Sequence, residues 1–398
     1  MLNNLHINII KSTIPLLENA GPALTQHFYQ RMFIHNPELK DIFNMTHQRT
    51  GRQGVALFEA IAAYAKNIEN LAALTSAVER IAHKHTSFNI QPEHYQIVGL
   101  HLIETLRELA ADAFTPEVEE AWTEAYLFLA QVFIDREAEL YLQRKQAVGG
   151  WEAARSFVIV NKVKESALVT SFILEPKDGG DVLDYTPGQY IGIEVKPEGA
   201  QYNEIRQYSL SDKPNGKNYR ISVKREGQGQ DVQGVVSNYM HDMAVIGDEV
   251  SLYAPAGDFR YQERSKPVTL ISAGVGLTPM QSMLEFLNNE QKNESVLYLH
   301  ACENAEQHSF TTRVKDIVSD KGWEAKTWYM NKNESAGENV YEGQMDLASI
   351  SDIDGFQESD FYICGPIGFM KNIVDQLEAL KVDRSRVHYE VFGPHAHF

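Results

Sequence analysis

The sequence predicts a multidomain chain: an all-α domain over residues 1–148, an antiparallel β-barrel over 151–262, and an α/β domain with a parallel sheet over 266–398. Three observations carry this. Apolar residues recur at helical spacing, with no convincing strand, up to about residue 148. Runs of period two follow between Phe157 and Tyr253. A buried-type strand, Val268–Ser272, then runs into a glycine turn and a helix. At 398 residues, two or three domains with large cores are expected.

Composition narrows the function classes. The chain is 43% hydrophobic and 23% charged, ordinary for a globular protein. Its net charge is -18 and no Lys/Arg run is interleaved with aromatics, which argues against nucleic acid and against a polybasic membrane patch. Two cysteines, Cys302 and Cys364, cannot build a disulfide framework or a four-thiolate metal site. Lys11 and Pro15 interrupt the only early apolar run, and no apolar run approaches 18 residues. The expectation is a soluble cytoplasmic chain with no obligate membrane association. No internal repeat or low-complexity segment is visible.

In the first domain, Asn19-Ala-Gly-Pro22 reads as a break between helices, with Pro22 suited to a first turn. The next helix carries Leu24, Phe28, Tyr29, Met32 and Phe33 and ends at Asn36-Pro37. Phe43 follows on a short connection. A further helix puts Gln53, Leu57, Ile61 and Tyr64 on one face. Then come the stretch Leu74–Tyr95, a helix from about Pro92 to Ala111 and a last one from Pro116 to Gln143.

Leu74–Tyr95 holds His83 and His85. With Leu74 at zero and roughly 100° per residue, His85 falls at about 20° and His83 at about 180°. His85 is therefore expected to continue the stripe of Leu74, Val78 and Ile81, and His83 to face water. An inward imidazole is either a core histidine satisfied by a carbonyl or a ligand to a metal or haem. The last helix poses a matching question. Glu137 shares a face with Trp122, Tyr126, Leu129, Phe133 and Leu140. A carboxylate there is costly unless paired. It snorkels out from the stripe's edge, pairs with Arg136 or Arg144, or meets an imidazole from another helix.

Gly149-Gly150 reads as a hinge into the barrel. Strands are expected at Phe157–Val163, Leu168–Glu175, Tyr190–Val195, Tyr219–Arg225 and Glu249–Tyr253, with turns at Asp178-Gly-Gly180 and Pro214-Asn-Gly216. Arg206-Gln207-Tyr208-Ser209 follows Pro187-Gly-Gln-Tyr190 by sixteen residues. An Arg fork suits a pyrophosphate, and an aromatic two residues on shares its face and can stack on a flat ring. An exposed strand with a surface Arg is the alternative. Gly234-Val-Val-Ser237 opens a short helix whose N–H groups suit a phosphate.

In the last domain the turn Ala273-Gly274-Val275-Gly276-Leu277-Thr278-Pro279 precedes a helix expected to begin at Met280. Gly-x-Gly-x-x-Pro is not the usual dinucleotide fingerprint, so an ordinary Rossmann dehydrogenase is not implied. Further strands read as Val296–His300, Ala325–Tyr329, Phe361–Ile363 and Val387–Val391. Cys364-Gly365-Pro366 follows a strand at the carboxyl edge, where ligands bind; a buried structural Cys is the alternative.

Tyr29, Phe43, Gln53, Leu57, His85, Tyr95 and Glu137, in this order and spacing, resemble the globin domain of the flavohaemoglobins. The barrel motifs and the glycine turn resemble the ferredoxin–NADP reductase superfamily, and Tyr389-Glu-Val-Phe-Gly-Pro394 resembles the flavohaemoglobin ending. The resemblance covers essentially the whole chain. It implies haem b, FAD and NADH (NADPH possible) as cofactors. It implies His85 as proximal iron ligand with Tyr95 and Glu137 as partners, Tyr29 and Gln53 as distal groups, and Phe43, Leu57 and Lys84 at the haem. It implies FAD contacts from Tyr190, Arg206, Gln207, Tyr208, Ser209, Gly234, Ser237, Glu390, Val391, Phe392, Gly393 and Pro394. The nicotinamide nucleotide would meet Ala273, Gly274, Val275, Gly276, Leu277, Thr278, Cys364, Gly365 and Pro366. A carboxylate accepting from His85 Nδ1 raises imidazole basicity, which favours oxygen activation over simple storage. The implied activity is a nitric oxide dioxygenase acting on O₂ and NO, with no protein partner required. A haem-based sensor with a resetting reductase, or a flavin reductase serving a separate acceptor, are the alternatives. Ala301-Cys-Glu303-Asn304 offers no cation for a 2′-phosphate, so NADH is expected over NADPH.

Overall fold

The computed structural model describes residues 2–43, 52–110, 112–227, 234–290, 295–331, 337 and 339–393. Pro394, and the side chains of Gln53 and Leu57, lie outside the described residues. The chain divides into two compact units, residues 1–154 with 194–206, and residues 155–193 with 207–398.

The first unit is helical up to residue 146. Helix α1 (Asn4–His35) starts on an Asn3 cap, whose side chain accepts the His6 N–H at 2.8 Å. It kinks at Gly21, the break that Asn19–Pro22 suggests, and stops before Pro37, which cannot extend it. Helices α2 (Arg52–Lys66), α3 (Thr75–Thr86), α4 (Pro92–Leu109) and α5 (Pro116–Gln146) follow. Thr115 caps α5, Pro116 fits its first turn, and Glu117 and Glu119 complement its N-terminal dipole. Leu24, Phe28 and Met32 of α1 pack with Tyr64, Leu102, Leu106 and Trp122 into one core. Each fully buried side chain of this size contributes ~1.5–3 kcal/mol. A smaller cluster, Ala82, Phe133 and Leu140, joins α3 to α5.

Two six-stranded sheets follow. The antiparallel one is ordered β4-β3-β6-β1-β2-β5. Its strands are β1 (Arg155–Lys164), β2 (Val169–Pro176), β3 (Tyr190–Val195), β4 (Glu204–Ser209), β5 (Tyr219–Lys224) and β6 (Glu249–Ala256). Helix α6 (Val235–Asp242) lies between β5 and β6 in sequence.

The second sheet is parallel and ordered β10-β9-β8-β7-β11-β12. It comprises β7 (Val268–Ala273), β8 (Val296–Cys302), β9 (Glu324–Tyr329), β10 (Val340–Glu342), β11 (Asp360–Cys364) and β12 (Val387–Glu390). Strands β7 and β11 are buried throughout, as expected for a sheet covered on both faces. Helices α7 (Leu277–Asn289) and α8 (Thr311–Lys321) cover one face through Met280, Met283, Leu284, Val314 and Ile317. Helix α9 (Ile367–Ala379) covers the other through Met370, Ile373, Val374 and Leu377. The chain runs outward from β7 to β10, then returns to β11 on the other side of β7. The strand order therefore reverses between β7 and β11, which is where open parallel sheets bind ligands.

Two details differ from the sequence expectation. Helix α7 starts at Leu277, not Met280; Pro279 sits in its first turn, where a missing N–H costs nothing. The three-residue edge strand β10 was not anticipated, being too short to show a period. Among the described residues, no helix is long and apolar enough to cross a membrane.

Candidate functional site

His85 is the penultimate residue of α3, and its imidazole meets two groups from other helices. Nδ1 lies 2.8 Å from Glu137 Oε1 and 2.8 Å from the Tyr95 hydroxyl. The Tyr95 hydroxyl donates to the same Glu137 oxygen at 2.5 Å. A phenol has one proton to give, and it goes to Glu137. The His85 Nδ1–H then points at Glu137 with the Tyr95 oxygen alongside, which fixes the imidazole tautomer. Burial, then the Glu137 charge, push the Tyr95 phenol far above its ordinary range, so it stays a donor. Glu137 is 4% exposed at its side chain and His85 33%. His85 Nε2 meets no hydrogen-bond partner among the described residues. This donor set fits a residue that would hold a haem iron: one ring nitrogen is held by a carboxylate and the other is not engaged among the described residues.

Helix α5 supplies most of the support. Phe133 lies 5.8 Å from the His85 ring and stacks on Tyr95 at 6.3 Å, centroid to centroid. The Tyr126 hydroxyl donates to the Tyr95 carbonyl at 2.5 Å, and Tyr141 to the Ile90 carbonyl at 2.8 Å. Tyr126 presses on Gly99, where a Cβ would come within 2.4 Å of its ring. Tyr95 itself sits in the first turn of α4, which Pro92 and a Gln91–His94 capping box fix in place.

The expectation that His83 faces water is overturned. His83 is only 7% exposed. Its Nδ1 accepts from Arg144 Nη2 at 3.1 Å and its Nε2 lies 3.1 Å from Glu79 Oε1. Burial lowers its pKa to about 4. Helical phase assumes that a polar face is solvated, but here a polar face of α5 covers it. Glu137 does not pair with Arg136 or Arg144 in the hydrogen bonds seen: Arg136 bonds Glu79 and Glu139, and Arg144 bonds Thr86 and His83. The sequence offers Arg144 only as a partner for Glu137, on whose face it lies two turns on, and gives no sign that it meets His83.

Tyr29, expected as a distal group, and Phe43, expected to pack on the haem, belong to one aromatic cluster. Tyr29 stacks on Phe33 at 5.9 Å and meets Phe43 edge-on at 5.9 Å. Gln53 and Leu57 are carried on α2. Lys84 is half-buried in the last turn of α3.

In the antiparallel sheet, Arg206, Gln207 and Tyr208 are half-buried on β4 and Ser209 is buried. The Arg206 guanidinium donates to the Ile205 carbonyl at 2.8 Å and is ion-paired with Glu204, Nη2 to Oε2 2.9 Å. Tyr190 opens β3, with Gly257 against its ring, where a Cβ would stand 3.0 Å away. Gly234 caps α6. Ser237 donates to the Gly234 carbonyl at 3.2 Å and accepts the Glu226 N–H at 3.3 Å.

At the carboxyl edge of the parallel sheet the turns after β7 and β11 touch. A Cβ on Gly276 would lie 2.2 Å from the Cys364 carbonyl oxygen and 2.7 Å from the Gly365 nitrogen. One on Gly365 would lie 3.1 Å from Ala273 Cβ. Backbone therefore lines this crevice, with the N-terminus of α7 opening at Leu277. The Thr278 hydroxyl donates to the Val275 carbonyl at 3.0 Å. Cys364 is buried, and burial pushes its thiol well above the ordinary range, so it is no thiolate nucleophile. Pro366 caps α9. Glu390 ends β12, Val391 is buried, Phe392 is 46% exposed, and Gly393 has φ +133°.

Three family models match in order: Globin over residues 26–133, Oxidoreductase FAD-binding domain over 156–261, and Oxidoreductase NAD-binding domain over 270–375. A flavohemoprotein of Vibrio cholerae serotype O1 is 67% identical over 396 residues, covering 100% of this chain and 99% of that protein. The FAD/NAD-binding domain of nitric oxide dioxygenase from Vibrio cholerae O1 biovar El Tor is 55% identical, with TM-score 0.57, over 60% of this chain and 99% of that one. Flavohemoglobin from Malassezia yamatoensis, solved with FAD and heme, matches with TM-score 0.87 at 24% identity over 98% of this chain and 100% of that one, a likeness of fold.

Proposed function

The chain belongs to the flavohaemoprotein family, and from that premise we propose that it is a nitric oxide dioxygenase. Two NO and two O₂ are converted with one NAD(P)H to two nitrate, NAD(P)⁺ and one H⁺. The domains proposed are haem-binding over 1–148, FAD-binding over 151–262 and NAD(P)H-binding over 266–398. When bound, the nicotinamide supplies an electron pair as hydride, the flavin parcels it into single electrons, and the haem iron passes them to the substrate.

The observation that carries the reading is the His85–Glu137–Tyr95 cluster. His85 would hold the iron through Nε2. Glu137 accepts the Nδ1 proton and gives the imidazole anionic character. Tyr95 keeps Glu137 aimed at His85. Tyr29 and Gln53 would orient the diatomic substrate, Phe43 and Leu57 would pack on the porphyrin, and Lys84 would lie at its edge. Arg206, Gly234 and Ser237 would hold the FAD pyrophosphate. Tyr190, Gln207, Tyr208, Ser209 and the segment Glu390–Pro394 would surround the flavin. Ala273 to Thr278 and Cys364 to Pro366 would hold the nucleotide at the β7/β11 reversal.

Absorption spectra under argon, before and after NADH and then CO, test haem, flavin and electron transfer together. Mixing the oxygenated protein with NO is expected to give nitrate with sustained NADH consumption; haem reduction without nitrate rejects the dioxygenase. Glu303, after β8, bonds Asn331 and offers no cation to a 2′-phosphate, so NADH is proposed over NADPH. Equal catalytic efficiency with both would reject that preference. The reading needs no protein partner and no membrane, and a cytoplasmic site of action is proposed with it.

A further inference from the structure

His85 and Glu137 stand on different helices, so their 2.8 Å contact depends on how α3 sits on α5. The buried apolar contact between these helices is Ala82, Phe133 and Leu140, with Val78 and Ile81 of α3 and Leu129 of α5 half-buried against it. Apolar packing is non-directional and sets register weakly. Directional contacts stand on both sides of the pair. On one side, Arg136 grips Glu79 in a two-pronged bond, both prongs 2.7 Å. On the other, Arg144 Nη1 donates to Thr86 Oγ1 at 2.6 Å and Nη2 to His83 Nδ1 at 3.1 Å.

The two grips are joined. His83 Nδ1 accepts from Arg144, so the proton is on Nε2, which donates to Glu79 at 3.1 Å. The result is a continuous chain, Arg144–His83–Glu79–Arg136. Both arginines stand on α5, and His83 and Glu79 between them on α3. Thr86 adjoins His85, and Arg144 follows Glu137 by seven residues, within about 20° of two full turns. Arg144, His83 and Thr86 are all buried. The guanidinium also lies at the C-terminal turn of α3, whose dipole favours a cation.

We propose that this bracket, anchored by Arg144, is a positioning device for the proximal imidazole: it fixes the register of α3 on α5 and so holds His85 Nδ1 at bonding distance from Glu137. The inference rests on the reading of His85 as the iron ligand. Arg144 is a positioning residue, since it acts through Thr86 and His83. Hydrogen bonds weaken steeply with distance and misalignment, so a slip of α3 too small to unfold the domain would still reduce the anionic character of His85.

Arg144→Gln and Thr86→Val in the full-length holoprotein test it, the second removing a hydroxyl at nearly constant shape. The readouts are the iron–histidine stretch of the ferrous protein by resonance Raman and the rate of haem reduction by NADH. In Arg144→Gln the stretch is expected to fall towards that of Glu137→Gln. Haem reduction is expected to slow by ~3–10-fold, less than the ~10–100-fold of a direct ligand partner. Flavin reduction by NADH, read in the same trace, should not change. Thr86→Val should move both readouts the same way by a smaller amount, and it decides the matter if Arg144→Gln fails to take up haem. A lower melting temperature with an unmoved stretch overturns the proposal, because the bracket then only adds stability. A wild-type protein with no iron–histidine stretch would refute the ligand reading itself, and the inference with it.

Discussion

The cluster around His85 and the crevice between β7 and β11 are built from different materials. Around His85 the chemistry is in side chains: an imidazole and a phenol converge on one carboxylate oxygen. At the crevice it is in the backbone: Gly276 and Gly365 bring two turns so close that a single Cβ would meet carbonyl or amide atoms. One region can be altered by exchanging an atom at constant volume. The other is altered by adding a carbon and is nearly indifferent to side-chain chemistry. Removing chemistry on one side and space on the other tests whether the two regions are separable.

The largest expected effect is that of His85→Ala, which removes the only group proposed to hold the iron. The Soret band should be lost while NADH still reduces the flavin. A retained Soret band would assign the ligand elsewhere. Next is Gly276→Ala. Its new Cβ would stand 2.2 Å from the Cys364 carbonyl, so the turns must part. Overpacking of this kind costs ~1–3 kcal/mol, and each 1.4 kcal/mol is about tenfold in affinity. The NADH concentration giving half-maximal flavin reduction should rise by about 5–150-fold on that scale, with the CO-haem spectrum unchanged. Third is Glu137→Gln, which keeps volume and removes charge. Haem should stay bound while its reduction or turnover slows by about tenfold or more. Unchanged kinetics would remove Glu137 from the proposed chemistry.

How much of this was legible depended on what a region is made of. Period and punctuation located the helices and most strands, because burial there follows apolar spacing: Tyr190–Val195 is β3 as expected, and Pro116 starts α5. Glu137 stood out because a carboxylate on an apolar stripe needs a reason. His83 reads as solvated and Arg144 only as a partner for Glu137, because nothing short of the packing of α5 on α3 buries the two together. The closeness of Gly276 to Cys364 was also hidden, since the two are far apart in sequence and neighbours only through the pairing of β7 with β11. Tyr126 supporting the Tyr95 carbonyl is a contact of the same kind.

The smallest predicted effect asks whether buried histidines do the same work in both regions. His83 near the proximal site and His308 in the nucleotide domain both have pKa values lowered to about 4 by burial. His308 lies 4.6 Å, centroid to centroid, from His300, which burial also holds neutral, and its Nδ1 is 2.8 Å from the Tyr329 hydroxyl. An unfolded histidine takes its proton near pH 6.5. Between that value and about 4 the unfolded chain binds more protons than the folded one. Stability therefore falls as pH falls, by ~1.4 kcal/mol per pH unit for each such histidine. His308→Phe keeps an aromatic ring against His300 and removes one of these protons, at the loss of a hydrogen bond worth ~0.5–1.5 kcal/mol. The variant should be less stable than wild type at neutral pH and more stable at pH 5, the two melting curves, followed by flavin fluorescence, crossing between roughly pH 5.4 and 6.4. Parallel curves would mean that His308 takes its proton in the fold as readily as in the unfolded chain, and that its burial beside His300 holds no proton off it.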